Sequence, residues 1–205
     1  MALSAIIDRY DVPSRHERGR PLVVDLDGTL IRSDLLVECF FAEMGRDVAS
    51  VAGLARAALG GKATIKHHLR TAAIDVRTLP YCDAVLAEIA LARAAGRPVY
   101  LASASNEALV GRVADHLGLF DGWFASCEIR NLRGPAKAEH LVREFGDKGF
   151  DYIGNDASDL AVWRHAHRAY GVRMPAAVRR RLLALTPDAV VLDESPAAYK
   201  SIDAV

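Results

Sequence analysis

The sequence predicts an α/β protein: a doubly wound parallel sheet with a small helical segment inserted after its first strand. Three observations predict it. From residue 97 onward, apolar runs of strand length alternate with amphipathic helical stretches, the pattern of parallel βαβ units. An earlier apolar run at 21–26 ends in two carboxylates, Asp25 and Asp27, where the chain turns through Gly28. Between that run and Pro80 the alternation stops and the pattern becomes helical.

The first strand, 21–26, is apolar and β-branched, as a buried strand requires. The segment 34–79 reads as an insert of three helices, at 35–44, 48–59 and 62–73, with Gly60 and Gly61 breaking the last two apart. A helix at 82–95 returns the chain to the main domain. Strands are expected at 98–102, 123–126, 151–153, 169–172 and 189–192, with helices at 107–117, 135–145, 158–165 and 176–185 between them. Residues 19–33 and 80–197 then form the core, 1–18 an N-terminal extension and 198–205 a tail. In such sheets ligands sit beyond the carboxyl ends of the strands, where the strand order reverses.

Bulk properties narrow the function classes. The 205 residues suffice for one well-buried core with an accessory module. Lys+Arg and Asp+Glu both number 26, so no overall field favours nucleic acid or an anionic membrane, and any bound anion must be captured locally. Cys39, Cys82 and Cys127 are few, odd in number and scattered, which fits neither a disulfide framework nor a paired zinc pattern. No signal-peptide order and no run of about 20 apolar residues is present, so a soluble protein of a reducing cytoplasm is expected.

The chemistry is concentrated at the strand ends. Alternation puts Asp25 and Asp27 on one side, with Leu26 pointing away. Two carboxylates that close need a divalent cation, a shared proton or a lysine. Asp-Gly alone could be turn punctuation, but that explains Asp27 and Gly28 and leaves Asp25 unexplained. Ser103 ends the strand 98–102, Lys137 opens the helix 135–145, and Gly154-Asn155-Asp156-Ala157-Ser158-Asp159 follows the strand 151–153. A hydroxyl, an ammonium group and a second acidic cluster are thus delivered beside the Asp pair.

In this order the chain resembles the haloacid dehalogenase-like (HAD) superfamily of phosphatases. Asp25-x-Asp27-Gly28-Thr29 matches the first motif, Ser103 the second, Lys137 the third, and the Gly154 to Asp159 loop the fourth, over about residues 20–192. More narrowly, the run from Lys137 through Trp163 looks like the phosphatase domain fused to some membrane prenyltransferases. The resemblance implies a Rossmann-like core with a helical cap, and a magnesium-dependent phosphatase acting through an aspartyl phosphate. It implies Asp25 as nucleophile and Asp27 as general acid and base. Gly28, Thr29, Ser103, Ala104 and Lys137 would hold the phosphate. Asp25, Asp27, Asn155, Asp156 and Asp159 would hold the metal. Asn155 stands where the family most often carries an aspartate, with Asp156 next to it, so a weakened or rearranged metal site is expected. The expected partner is a small phosphorylated metabolite, with a polyprenyl-linked sugar phosphate as the specific variant. Competing readings are a noncatalytic phosphate-binding or partner-docking protein and a phosphomutase.

Other motifs read more plainly. Gly60-Gly61-Lys62-Ala63-Thr64 lacks the glycine a phosphate loop needs at position 56, which is arginine, and is expected to be a helix break. His67-His68 and His165-x-His167 do not share a helical face and are expected to be solvated. Trp123 and Trp163 should pack in or at the rim of the core. The apolar stripe 35–41 should pack the insert on the main domain, a lipid-facing surface being the alternative.

Overall fold

Six parallel strands form one sheet in the order β3-β2-β1-β4-β5-β6 in a computed structural model that describes residues 19–44, 74–126 and 132–192. The strands are β1 Leu22–Asp25, β2 Val99–Asn106, β3 Gly122–Ser126, β4 Asp151–Gly154, β5 Ala169–Val172 and β6 Val190–Leu192. The helices are α1 Leu35–Met44, α2 Asp83–Ala94, α3 Glu107–Leu117, α4 Pro135–Phe145, α5 Leu160–Trp163 and α6 Ala176–Leu185. The chain steps outward from β1 to β3, then crosses back to β4 and proceeds the other way. Strand order therefore reverses beside β1, which places its carboxyl end at the crevice such sheets offer to ligands. The doubly wound α/β class is what the sequence predicts.

Alternation along β1 divides the core in two. Leu22, Val24, Leu101 and Ile153 belong to one apolar cluster with Val85 and Ile89 of α2 and Val110 and Val113 of α3. Val23, Ala102 and Tyr152 belong to the other with Leu141 of α4, Val162 and Trp163 of α5, and Leu182 of α6. Asp25 shares the side of Val23, so its carboxylate faces the layer to which α4 belongs. Trp163 is fully buried and donates its indole N–H to the Tyr170 carbonyl at 3.1 Å. Trp123 is 39% exposed and packs at the rim, its ring 3.3 Å from where a Cβ on Gly111 would lie.

Local signals explain the helix limits. Asn106 caps α3 by accepting the Ala108 amide at 3.1 Å, and Gly118 ends the helix in the left-handed conformation, φ +61°. Pro135 occupies the first turn of α4, where its missing N–H costs nothing. The helix expected over 158–165 is instead a 3-10 turn, Ala157–Asp159, followed by the short α5. Asp156 and Asp159 close a capping box on that turn, and this winds the loop tightly before α5 begins. A further 3-10 turn, Val76–Thr78, lies where the sequence suggests only the end of the insert.

Of the insert, residues 34–44 and 74–79 are described. Leu35 and Cys39 of α1, with Ile74 and Leu79, are buried in the same cluster as β1. The expected helices at 48–59 and 62–73, the Gly60–Thr64 segment and His67-His68 lie outside the described residues. Cys39 and Cys82 are buried. His165 and His167 are partly exposed and face Asp147 and Asp151 respectively. Among the described residues, no helix is long and apolar enough to cross a membrane.

Candidate active site

The loop after β1 is wound by its own amides. Gly28 N–H bonds the Ser33 carbonyl at 2.9 Å, and Leu30 N–H reaches back to the Asp25 carbonyl at 3.2 Å. Asp25 is held at the strand end by two side chains from opposite directions. Lys137 Nζ, in the first turn of α4, donates to Asp25 Oδ1 at 2.6 Å, and Thr29 Oγ1 donates to Oδ2 at 3.0 Å. Asp25 is 7% exposed and Lys137 4%. Burial pushes the Asp25 carboxyl up to about 7 from an ordinary 3.8, Lys137 works against that rise, and Asp159 and Asp27 add to it. For Lys137, burial opposes the charge, but Asp25, Asp159 and Asp27 outweigh it and move the ammonium upward.

Asp27 sits apart from the lysine and, among the described residues, takes neutral donors. Its Oδ1 accepts the Leu35 amide at 2.7 Å; its Oδ2 accepts the hydroxyls of Ser103 at 3.1 Å and Ser105 at 2.7 Å. Burial raises its carboxyl, with the Leu35 amide and both hydroxyls holding it back. A carboxyl biased towards keeping its proton suits a general acid. Ser105 belongs to no motif of the sequence, and its spacing of two from Ser103 on a strand is the available signal. Ser103 Oγ also accepts the Ser105 amide at 2.9 Å, and the β2–β3 register shifts between Ala102 and Asn106. Ala104 lies half-buried between the two serines.

The loop after β4 meets the loop after β1 through Asn155. Asn155 Oδ1 is 3.2 Å from Thr29 Oγ1, and a Cβ on Gly28, at φ +75°, would come within 2.2 Å of Asn155 Nδ2. The Thr29 hydroxyl thus faces two acceptors, Asp25 Oδ2 and Asn155 Oδ1. Asn155 Oδ1 has a second lone pair and lies beside Asp25. Asp156 turns the other way: its Oδ1 accepts the amide of Ser158 at 2.5 Å and its hydroxyl at 2.6 Å. Asp159 is 2% exposed, and both of its oxygens are engaged. Oδ2 accepts the amides of Asn155 at 2.9 Å and Asp156 at 3.1 Å; Oδ1 accepts the Tyr152 hydroxyl at 2.7 Å. Gly154 is required for this, since a Cβ there would lie 2.7 Å from the Asp159 carboxylate.

The structure thus brings Asp25, Asp27, Thr29, Ser103, Lys137 and Asn155 together with Gly28 at one end of the sheet. Both oxygens of Asp159 and Oδ1 of Asp156 are spent on shaping the loop. Among the described residues, no three His, Cys, Asp or Glu side chains surround a common metal position. The donors on offer are all hard oxygens, the Asp25 carboxylate, the Asn155 amide oxygen and the Asp27 carbonyl, and such a set fits magnesium retaining several waters.

Comparison with known proteins places this fold. No protein-family model matches the chain. It is 34% identical over 154 residues to the uncharacterized protein y4nM of Sinorhizobium fredii (strain NBRC 101917 / NGR234), covering 75% of the chain and 30% of that protein. The chain therefore spans under a third of the curated relative's length. Among solved structures it resembles a protein of unknown function from Bordetella pertussis Tohama I, with a TM-score of 0.61, 16% identity, and 86% and 99% of the two chains covered. It is similar to a phosphoserine phosphatase, solved as a phospho-aspartyl intermediate analogue, with a TM-score of 0.57, 15% identity, and 92% and 99% coverage. A HAD family hydrolase from Salmonella enterica serovar Typhi gives a TM-score of 0.57 at 18% identity, covering 78% of this chain and 64% of that one. The class is therefore defined at the level of architecture. The chain has the Rossmann-like α/β fold of the HAD hydrolases, with two aspartates, a serine and a lysine assembled at the end of its sheet.

Proposed function

We propose that the chain is a magnesium-dependent phosphomonoesterase that works through an aspartyl phosphate on Asp25. The observation that carries this reading is the buried contact of 2.6 Å between Lys137 and Asp25, beside a second carboxyl held by two hydroxyls. The fold shared with a phosphoserine phosphatase captured as a phospho-aspartyl intermediate analogue supports the same role for Asp25.

In this reading an Asp25 oxygen attacks phosphorus while the bond to the ester oxygen breaks, and Asp27 gives its proton to the departing alcohol. Asp27, now ionised, takes a proton from the water that attacks the aspartyl phosphate. Cleavage of the bond to Asp25 then releases inorganic phosphate. Lys137 holds Asp25 in line and offsets charge on the phosphoryl oxygens, which Ser103 and the amides near Gly28 and Ala104 also receive. Thr29 fixes the second Asp25 oxygen. Magnesium, held by Asp25, the Asp27 carbonyl and Asn155, would supply further neutralisation of phosphate charge.

Replacing Asp25 with Asn tests the reading: release of phosphate from p-nitrophenyl phosphate should fall by more than about a thousandfold. Wild-type rates in that variant would remove Asp25 as nucleophile. Asn155 favours a second reading, a phosphate-binding protein without turnover. Magnesium titration separates the two, since an enzyme shows metal-dependent turnover and a binder only metal-dependent affinity. Inorganic phosphate as the main product excludes a phosphomutase. The proposed substrate is a small phosphorylated metabolite. Faster hydrolysis of a polyprenyl-linked sugar phosphate than of its water-soluble head group would identify the lipid-linked variant, and equal rates would dismiss it.

A further inference from the structure

Lys137 is the only buried Lys or Arg among the described residues, yet two buried carboxylates lie within its reach. Asp25 Oδ1 is 2.6 Å from its Nζ, and Asp159 Oδ1 is 3.9 Å away. A shift of about 1 Å would exchange one ion pair for the other, and in a low-dielectric interior neither carboxylate is a weak attractor. What stands between them is the Tyr152 hydroxyl. It accepts from Lys137 Nζ at 3.1 Å and donates to Asp159 Oδ1 at 2.7 Å. Tyr152 projects from β4 on the α4 side of the sheet and is fully buried, so its hydroxyl is shielded from bulk solvent. With Oδ2 taken by two backbone amides, the phenol completes a set of neutral donors around Asp159.

We infer that Tyr152 is a positioning residue: it satisfies Asp159 with a neutral donor and so reserves the Lys137 ammonium for Asp25. This rests on the phosphatase reading above. Two of the three Lys137 N–H groups are committed, one to Asp25 and one to the phenol, which aims the third. Without the hydroxyl, Asp159 Oδ1 loses its donor and the lysine swings toward it. The nucleophile then loses its partner while the fold is retained.

The test uses Mg²⁺-supplemented p-nitrophenyl phosphate hydrolysis by the full chain. Tyr152→Phe should lower kcat by about 10- to 100-fold, the scale of a 1 Å misplacement in an active site, with KM moving less than about 3-fold. Removing the competing charge should undo the dependence: in an Asp159→Asn background, Tyr152→Phe should cost less than about 3-fold. A loss of equal size in both backgrounds, or wild-type kcat in Tyr152→Phe, would overturn the inference. Should Tyr152→Phe fail to fold, p-aminophenylalanine at 152 keeps both the volume and a donor, and must retain kcat within about 5-fold; a larger loss in a folded protein counts against the assignment. Asp25→Asn, assayed alongside, separates the failures. If that variant is inactive while Tyr152→Phe matches wild type, only the role of Tyr152 falls. If Asp25→Asn keeps wild-type turnover, the phosphatase reading falls as well.

Discussion

Gly28→Ala places a methyl group at the junction of the two site loops, and its cost has two separable parts. Gly28 sits at φ +75°, where a residue bearing a Cβ pays about 1–2 kcal/mol in backbone sterics. The new Cβ would also lie 2.2 Å from Asn155 Nδ2, far inside the roughly 3.5 Å at which such atoms rest. Asn155 must therefore leave, giving up its contact with Thr29 at 3.2 Å. The loss of one such polar contact adds about 1 kcal/mol. The sum is about 2–3 kcal/mol, and at about 2–4 °C per kcal/mol for a chain of this size Tm should fall by about 4–12 °C. Gly96→Ala is the matched control, because Gly96 has φ +70° with nothing within 4 Å of the added carbon. It should show the backbone part alone. Asn155→Ala combined with Gly28→Ala should bring the glycine substitution down to that control value. Thermal unfolding followed by circular dichroism reads wild type, the three single variants and the double variant. Equal losses for Gly28→Ala and Gly96→Ala would refute the claim that Asn155 is packed against the first loop.

Three further outcomes are expected. Burial holds the Asp25 carboxyl at about 7 against 3.8 for an exposed carboxyl, so the folded chain binds a proton there after the unfolded chain has released it. Stability of the metal-free protein should thus fall as pH rises from about 4 to 7, and the Tm advantage of Asp25→Asn over wild type should be larger at about pH 8 than at about pH 5; an equal advantage at both refutes this. Arg97 Nη2 meets the buried Asp151 carboxylate at 2.5 Å at the end of β4 away from the site, so Arg97→Leu should cost about 3 kcal/mol in urea unfolding without altering kcat. Asn155→Asp supplies a charged ligand beside Asp25 and should lower the magnesium concentration for half-maximal turnover by about tenfold, measured by metal titration; an unchanged requirement would remove Asn155 from the metal site.

What the sequence revealed and what it hid divide along physical lines. The limits of α3, α4, α6 and β5 match those read from local signals, because caps, an initiating proline and periodicity are written within each segment. Likewise Asp25 ends β1, Ser103 lies in the carboxyl half of β2 and Lys137 stands in the first turn of α4, positions that bring them to one sheet end. The tight turn at Ala157–Asp159 was hidden because the apolar pattern downstream suggested one continuous helix, while the capping pair Asp156 and Asp159 lies in the preceding polar loop. Tyr152 and Ser105 were hidden for a different reason. Their partners are 15 and 78 positions distant, and nothing in a strand pattern distinguishes a tyrosine that fills space from one whose hydroxyl separates two charges. Asp159, expected as a metal ligand, has its carboxylate occupied by three hydrogen bonds that only the folded loop discloses.

The bond from the Leu35 amide to Asp27 Oδ1, 2.7 Å long, ties the second site aspartate to the first residue of α1. Turning that carboxylate toward a bound ester would require the amide to be released. The proton on Leu35 nitrogen is therefore a built-in gauge of what Asp27 is doing, legible by hydrogen exchange or by its NMR shift without any label in the site itself. Phosphate analogues that engage Asp27 should speed its exchange, and those that occupy the site without engaging Asp27 should leave it protected.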